Sequence, residues 1–235
     1  MICQIAELIV EIPEAGGMAP RCREYLTDSQ STPDIVLCEE NYSFASWEGV
    51  PYDSACYIES GRLFYGKLLR FQGMMLHASA VAYEGKAYLF SGPSGVGKST
   101  HTHLWQEVFG SAAQIFNDDK PALRCFDGNW FAYGTPWSGK NGINQNVKIP
   151  LAGICFLKQG EENSIRPLDA KEAVNLILGQ TYHRFRTAEG LDRLLTNVDM
   201  LVRSIPIYEM TNRADADCVR MSYETMRGSV EEESL

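Results

Sequence analysis

Residues 92 to 100 read Gly-Pro-Ser-Gly-Val-Gly-Lys-Ser-Thr. Gly92, Gly97, Lys98 and Ser99 stand at the spacing of a Walker A phosphate-binding loop. Phosphate chemistry needs each of these types. A triphosphate must leave water without losing its hydrogen bonds, and glycines let a backbone fold tightly enough to aim successive N–H groups at its oxygens. A helix starting after the loop adds its positive end. Lys98 can set an ammonium against the outer phosphates, and the Ser99 hydroxyl can ligate Mg²⁺. Gly92, Pro93, Ser94, Gly95, Val96, Gly97, Lys98, Ser99 and Thr100 are therefore the candidate nucleotide-binding residues, with ATP and Mg²⁺ the expected ligands. A chance match in a chain of this length is on the order of one in a hundred.

Phosphoryl chemistry also needs acidic groups, to hold metal or to accept a proton. A helix of about 11 residues after the loop climbs roughly 16 Å. A strand of about 5 residues returns roughly the same distance. The chain is then back at its starting level at Asn117-Asp118-Asp119. If that strand runs parallel to the one before the loop, Asp118 and Asp119 emerge at the edge where the phosphates sit. His77, in the apolar run Leu76 to Ala80, is a further candidate. Lys140, within Gly139-Lys140-Asn141-Gly142, could reach the transferred phosphoryl group or an acidic acceptor. Trp137 is read as packing its loop. His101 and His103, two apart on a helix, cannot form an i, i+4 metal pair and are read as structural. His183-Arg184-Phe185-Arg186 is read as a solvated basic cluster, and Cys125 and Cys155 as small core residues.

Residues 74 to 120 together resemble the HPr kinase/phosphorylase and ATP-dependent PEP carboxykinase superfamily. The likeness lies in the order of parts: Leu76-His77-Ala78-Ser79-Ala80, a hairpin, the glycine-rich loop, a helix and a paired Asp. It extends over residues 74 to 160 and looks closest to the small HPr-kinase-like proteins, since 235 residues are too few for a full carboxykinase. It implies an α/β P-loop fold with a mixed β-sheet flanked by helices. It also implies His77 in the active site, Asp118 as general base towards a serine hydroxyl, and Asp119 supporting that base and the metal site. Ser99, Asp118 and Asp119 are thus the expected metal residues, with Lys98 acting on the phosphoryl group. Two departures stand out. The segment Gly134 to Gly142 lacks the acidic residue that HPr kinases carry in a comparable place, and their C-terminal signature, tied to phosphorolysis, is absent. Neither the reverse reaction nor HPr as substrate is implied.

Around these residues the elements alternate. Strands are expected at Asp34–Cys38, Ala55–Glu59, Met75–Tyr83, Lys86–Ser91, Ala112–Phe116, Leu151–Leu157 and Ile205–Met210. Glu84-Gly85 reads as the tight turn of a hairpin. Helices are expected over Arg62–Phe71, Lys98–Val108, Asp169–Leu178 behind an Asp169/Glu172 capping box, Ala188–Arg203, and Asp215–Met226 stopped by Gly228. Residues 1–70 are read as a β-containing extension that helps build the acceptor site, and residues 71–235 as the kinase core. The net charge of −9 argues against nucleic acid or an anionic membrane as partner. No apolar run approaches the roughly 20 residues of a bilayer span. Seven scattered cysteines without a C-x-x-C pair fit a reducing cytoplasm. The expected activity is ATP-dependent phosphorylation of a hydroxyl, on a protein, a peptide or a small molecule, by a chain that could form a homo-oligomer as HPr kinases do. The rivals are a non-catalytic nucleotide-binding module and a carboxykinase-like or phosphorolytic transfer.

Overall fold

A computed structural model describes residues 1–14, 16–182 and 187–231. The basic cluster expected at His183–Arg186 lies outside the described residues. Strands β1 (Ile2–Ile5) and β2 (Leu8–Glu11) form an antiparallel hairpin, and β3 (Ile35–Val36) joins β2 in parallel. Between β2 and β3 lies the short helix α1 (Met18–Arg21), and after β3 the long helix α2 (Tyr52–Leu68). Then follow β4 (Gly73–Met75), β5 (Ala78–Tyr83), β6 (Lys86–Ser91), α3 (Lys98–Phe109) and β7 (Gln114–Asp119). The next four strands are β8 (Ala122–Phe126), β9 (Asn129–Tyr133), β10 (Lys148–Gln159) and β11 (Ser164–Pro167). The chain ends with α4 (Ala170–Gln180), α5 (Ala188–Ser204), β12 (Ile207–Asn212) and α6 (Ala216–Glu231).

Nine strands form one mixed sheet in the order β4-β8-β9-β10-β6-β5-β7, with β12 beside β10 and β11 beyond it. Strand β10 changes partner along its length, pairing antiparallel with β9 at Lys148–Pro150 and parallel with β12 at Ile154–Gln159. Alternate residues of β6 face opposite cores, as the two-residue period of a strand requires. Leu89 packs with Ile177, Leu194, Val198 and Leu201 of α4 and α5. Tyr88 and Phe90 pack with Trp105 of α3 and with Cys218, Val219 and Met226 of α6. A third core joins the first hairpin to α2, Tyr133 and Trp137. The mixed α/β architecture with helices on both sheet faces is as expected. Among the described residues no helix is long and apolar enough to cross a membrane.

Several elements differ from expectation. Ala55–Glu59 belongs to α2, not to a strand. Its buried positions recur with helical spacing but include Glu59, Ser60 and Gly61, so hydrophobicity alone hides the period. The run Met75–Tyr83 is divided between β4 and β5. The strand expected at Ala112–Phe116 starts at Gln114 and carries on through both aspartates. Helix α6 passes through Gly228. The Asp169/Glu172 capping box is present: the Asp169 carboxylate accepts the Glu172 N–H at 2.8 Å, and the Glu172 carboxylate accepts the Asp169 N–H at 3.3 Å.

His101 fixes α3 to α6. It is fully buried, and its Nε2 accepts the Trp105 indole N–H at 3.2 Å, which leaves the proton on Nδ1, directed at Cys218 Sγ 3.4 Å away. Burial pushes its pKa down to about 3 from an ordinary 6.5. The folded imidazole thus stays neutral while the unfolded one takes up a proton near pH 6.5, so the unfolded state binds more protons between these values and stability falls as the pH falls. This group contributes a slope of about 1.4 kcal/mol per pH unit. In urea denaturation between pH 6.5 and 4.5, the stability of the native sequence should fall more steeply than that of His101→Gln, by up to about that slope.

Candidate functional site

The sheet register sets the site. Strands β6 and β7 flank β5, each antiparallel to it, so β6 and β7 run in the same direction. Ala78 of β5 is level with Ser91 at the end of β6 and with Asp119 at the end of β7. The chain leaves Ser91 into the glycine-rich loop at the same sheet edge where Asp118 and Asp119 emerge. The expected parallel relation therefore holds, with one strand between the two.

Three glycines of the loop take backbone angles that other residues avoid. Gly92 has φ +140°, Gly95 +82° and Gly97 +104°. A Cβ on Gly92 would also stand 3.1 Å from Val96 Cγ1 and 3.2 Å from the Leu157 carbonyl oxygen. Helix α3 begins immediately after Gly97. Lys98 folds back over the loop, donating to the carbonyls of Gly92 at 2.9 Å and Pro93 at 3.1 Å. Burial draws its pKa down, while Asp119 and Asp118 act in the opposite sense. Pro93, Ser94, Gly95 and Thr100 are exposed, and Val96 is half-buried.

The two aspartates have divided surroundings. Asp118 faces the loop: its Oδ1 accepts the Ser99 hydroxyl at 2.8 Å and its Oδ2 accepts the Asn141 amide at 3.0 Å. Asp119 turns the other way, with Oδ1 3.2 Å from His77 Nε2 and Oδ2 on the Lys120 ammonium. Burial opposes its charge, but His77 and Lys120 outweigh it and hold the Asp119 carboxyl below its ordinary range. His77 is anchored behind: its Nδ1 lies 3.1 Å from Gln180 Oε1, and its backbone N–H donates to the Gln180 carbonyl at 2.7 Å. Ser99, Asp118, Asp119, His77 and Lys98 are thus brought together. Lys140 is exposed and lines a cavity with Asp119 and Arg21.

A hard divalent cation fits this donor set. Mg²⁺ uses one or two protein oxygens besides phosphates and water, and adjacent ligands of its octahedron lie about 3 Å apart. Ser99 Oγ and Asp118 Oδ1, 2.8 Å apart, meet that spacing. A cavity of about 520 Å³ adjoins the loop, bounded by Val96, Leu157, Gln159, Asn175 and Leu176.

Sequence reasoning missed Asn141, Lys120 and Gln180. Asn141 follows Lys140 in the segment noted for lacking an acid, and Lys120 follows the Asp pair directly. Gln180 ends α4 and had no signal, because only the fold brings it to His77. Trp137, expected to pack its loop, is fully buried against Phe64 at a ring separation of 4.7 Å.

A family model described as "SynChlorMet cassette protein ScmC" matches residues 56–216, more than half of the chain. The chain belongs to the ScmC family. The ScmC match runs from α2 to the start of α6 and includes the loop and both aspartates. No curated protein matches the sequence. Among solved structures, the Hpr(Ser) kinase/phosphatase from Coxiella burnetii aligns at 12% identity with a TM-score of 0.39, covering 68% of this chain and 99% of that one.

The loop geometry is itself testable. Gly92→Ala combines a disfavoured φ with contacts to Val96 and the Leu157 carbonyl. It should cost about 1–3 kcal/mol in urea denaturation, with the α/β circular dichroism of the folded state retained.

Proposed function

We propose that the protein is an ATP-dependent phosphotransferase that moves the γ-phosphoryl group of Mg·ATP to a hydroxyl. One observation carries the reading: the Ser99 hydroxyl meets the Asp118 carboxylate at 2.8 Å, beside an ammonium folded over a glycine-rich loop at a helix start. The main-chain N–H groups of residues 94–99 would hold the β- and γ-phosphates, with the base directed to the cavity beside Val96 and Asn175. Ser99 and Asp118 would hold Mg²⁺, which when bound neutralises charge on the phosphates. Lys98 would leave the loop carbonyls for the γ-phosphoryl oxygens.

The family resemblance implies Asp118 as base, with Asp119 in support. The geometry favours the opposite division. Asp118 is committed to Ser99 and Asn141, whereas Asp119 lines a cavity that an acceptor can enter. In this reading the acceptor oxygen bonds to the γ-phosphorus as the bond to the ADP oxygen breaks. The hydroxyl proton passes to Asp119, which His77 and Gln180 keep aimed. A weak carboxylate base suffices, because in a loose transition state the proton leaves late.

Calorimetry with MgATP and transfer from labelled ATP to an extract test these roles. Lys98→Ala should weaken both nucleotide binding and transfer. Asp119→Asn should keep MgATP binding and lower transfer by about 10²–10⁴. Asp118→Asn should remove the Mg²⁺ dependence of binding. If Asp118→Asn keeps metal-dependent binding and Asp119→Asn keeps transfer, the division of roles is reversed. If the native protein binds no MgATP, the reading fails.

A further inference from the structure

The residues ahead of β4 do more than cover the sheet. Helix α2 stands beside Asp119 and Lys120 and lines two cavities that share Tyr57 and Ile58. The first, of about 470 Å³, is lined by Arg21, Asp53, Asp119 and Lys140. The second, of about 380 Å³, is lined by Trp47, Tyr57, Ile58, Arg62, Tyr65 and Lys120. Tyr57, common to both, is held firmly. Its hydroxyl accepts the Gly139 N–H at 2.9 Å, the Arg21 guanidinium lies 4.5 Å from its ring centre, and the Lys120 ammonium 5.5 Å.

We propose that the second cavity is the recognition pocket for the phosphoryl acceptor, and that it takes an aromatic ring bearing a nearby carboxylate. The proposal rests on the phosphotransferase reading for its role, but its chemistry comes from the walls. Tyr57, Tyr65, Trp47 and the buried Trp137 line it, and aromatic walls favour a flat ring over a branched aliphatic group. The lining holds two cations, Arg62 and Lys120, and no carboxylate, in a chain of net charge −9. Glu59 is buried behind Arg62 and fixes the guanidinium at 2.8 Å, so the cation is set in place before a ligand arrives. Lys120 borders this pocket and binds Asp119, which lines the first, so an acceptor seated here by its ring and carboxylate would reach Asp119 with a hydroxyl extended into the first cavity. The nucleotide would not compete, because the cavity against the glycine-rich loop shares no lining residue with this one.

N-acetyl-L-phenylalanine and its amide, titrated into the full chain by calorimetry, test the proposal. The carboxylate probe should bind, and the amide at least tenfold more weakly. Ile58→Trp, which fills the pocket, should lower affinity for the carboxylate probe at least tenfold while MgATP titrates as before. Lys120→Gln should narrow the preference for the carboxylate probe, and Lys120→Arg should restore it. Equal binding of acid and amide to the native chain, unchanged probe affinity in a folded Ile58→Trp, or MgATP binding with no probe binding would each overturn the pocket. Probe binding with these preferences but no MgATP binding would uphold the pocket and overturn the phosphotransferase reading alone.

Discussion

The hydrogen bond from Ser99 to Asp118 joins two parts of the chain that approach from opposite directions. Ser99 is in the first turn of α3 and Asp118 near the end of β7, with the rest of α3 between them. Their meeting needs the helix to climb and the strand to return by matching lengths. It also needs β5 to lie between β6 and β7 so that both end at one edge. A register slip of one residue in β7 would exchange the faces of Asp118 and Asp119 and part the loop from its carboxylate. The strand is held against this: Asn117, fully buried, donates to the Thr135 carbonyl and accepts the Lys120 N–H.

From this contact the rest of the site divides by face. Towards the loop lie charges suited to phosphate and metal: Lys98, Ser99 and Asp118. Away from it lie His77, Asp119 and Lys120, bordered by α2. The loop carrying Ser138 to Asn141 serves both sides, since Asn141 binds Asp118 while Gly139 binds Tyr57 and Arg21. An acidic side chain at position 141 would set a second negative charge against Asp118. An amide donates to it instead. This gives a physical sense to the absence of an acid in that segment.

Much of the centre was legible because its signals are local. Lys86–Ser91 is a short, mostly apolar run buried on both faces, Glu84 and Gly85 both take the positive φ that a tight hairpin turn needs, and the loop glycines are conformationally required. What was hidden depends on the fold. The first hairpin turns at Ala6–Glu7, both at positive φ without a glycine. The hairpin of β8 and β9 turns at Asp127-Gly128, both at positive φ, a local turn signal like that of Glu84-Gly85. Helix α2 hides its period because its buried face carries Glu59 and Gly61. Gly61 lets the Trp137 ring approach to where a Cβ would be 2.9 Å away, and Glu59 is charge-paired with Arg62. The same substitutions of apolar by small and charged residues that obscure the helix also shape the aromatic cavity.

The central claim is that the loop, Ser99 and Asp118 form one phosphate and metal site. Its most direct test is an ¹⁵N–¹H spectrum of the protein titrated with ADP and Mn²⁺, with Mg²⁺ as the diamagnetic control. The account predicts paramagnetic broadening centred on the amides of Ser99 and Asp118, and Mg·ADP shifts at Gly92 and across residues 94 to 99. Broadening centred elsewhere, or a loop whose amides do not move with nucleotide, would contradict it.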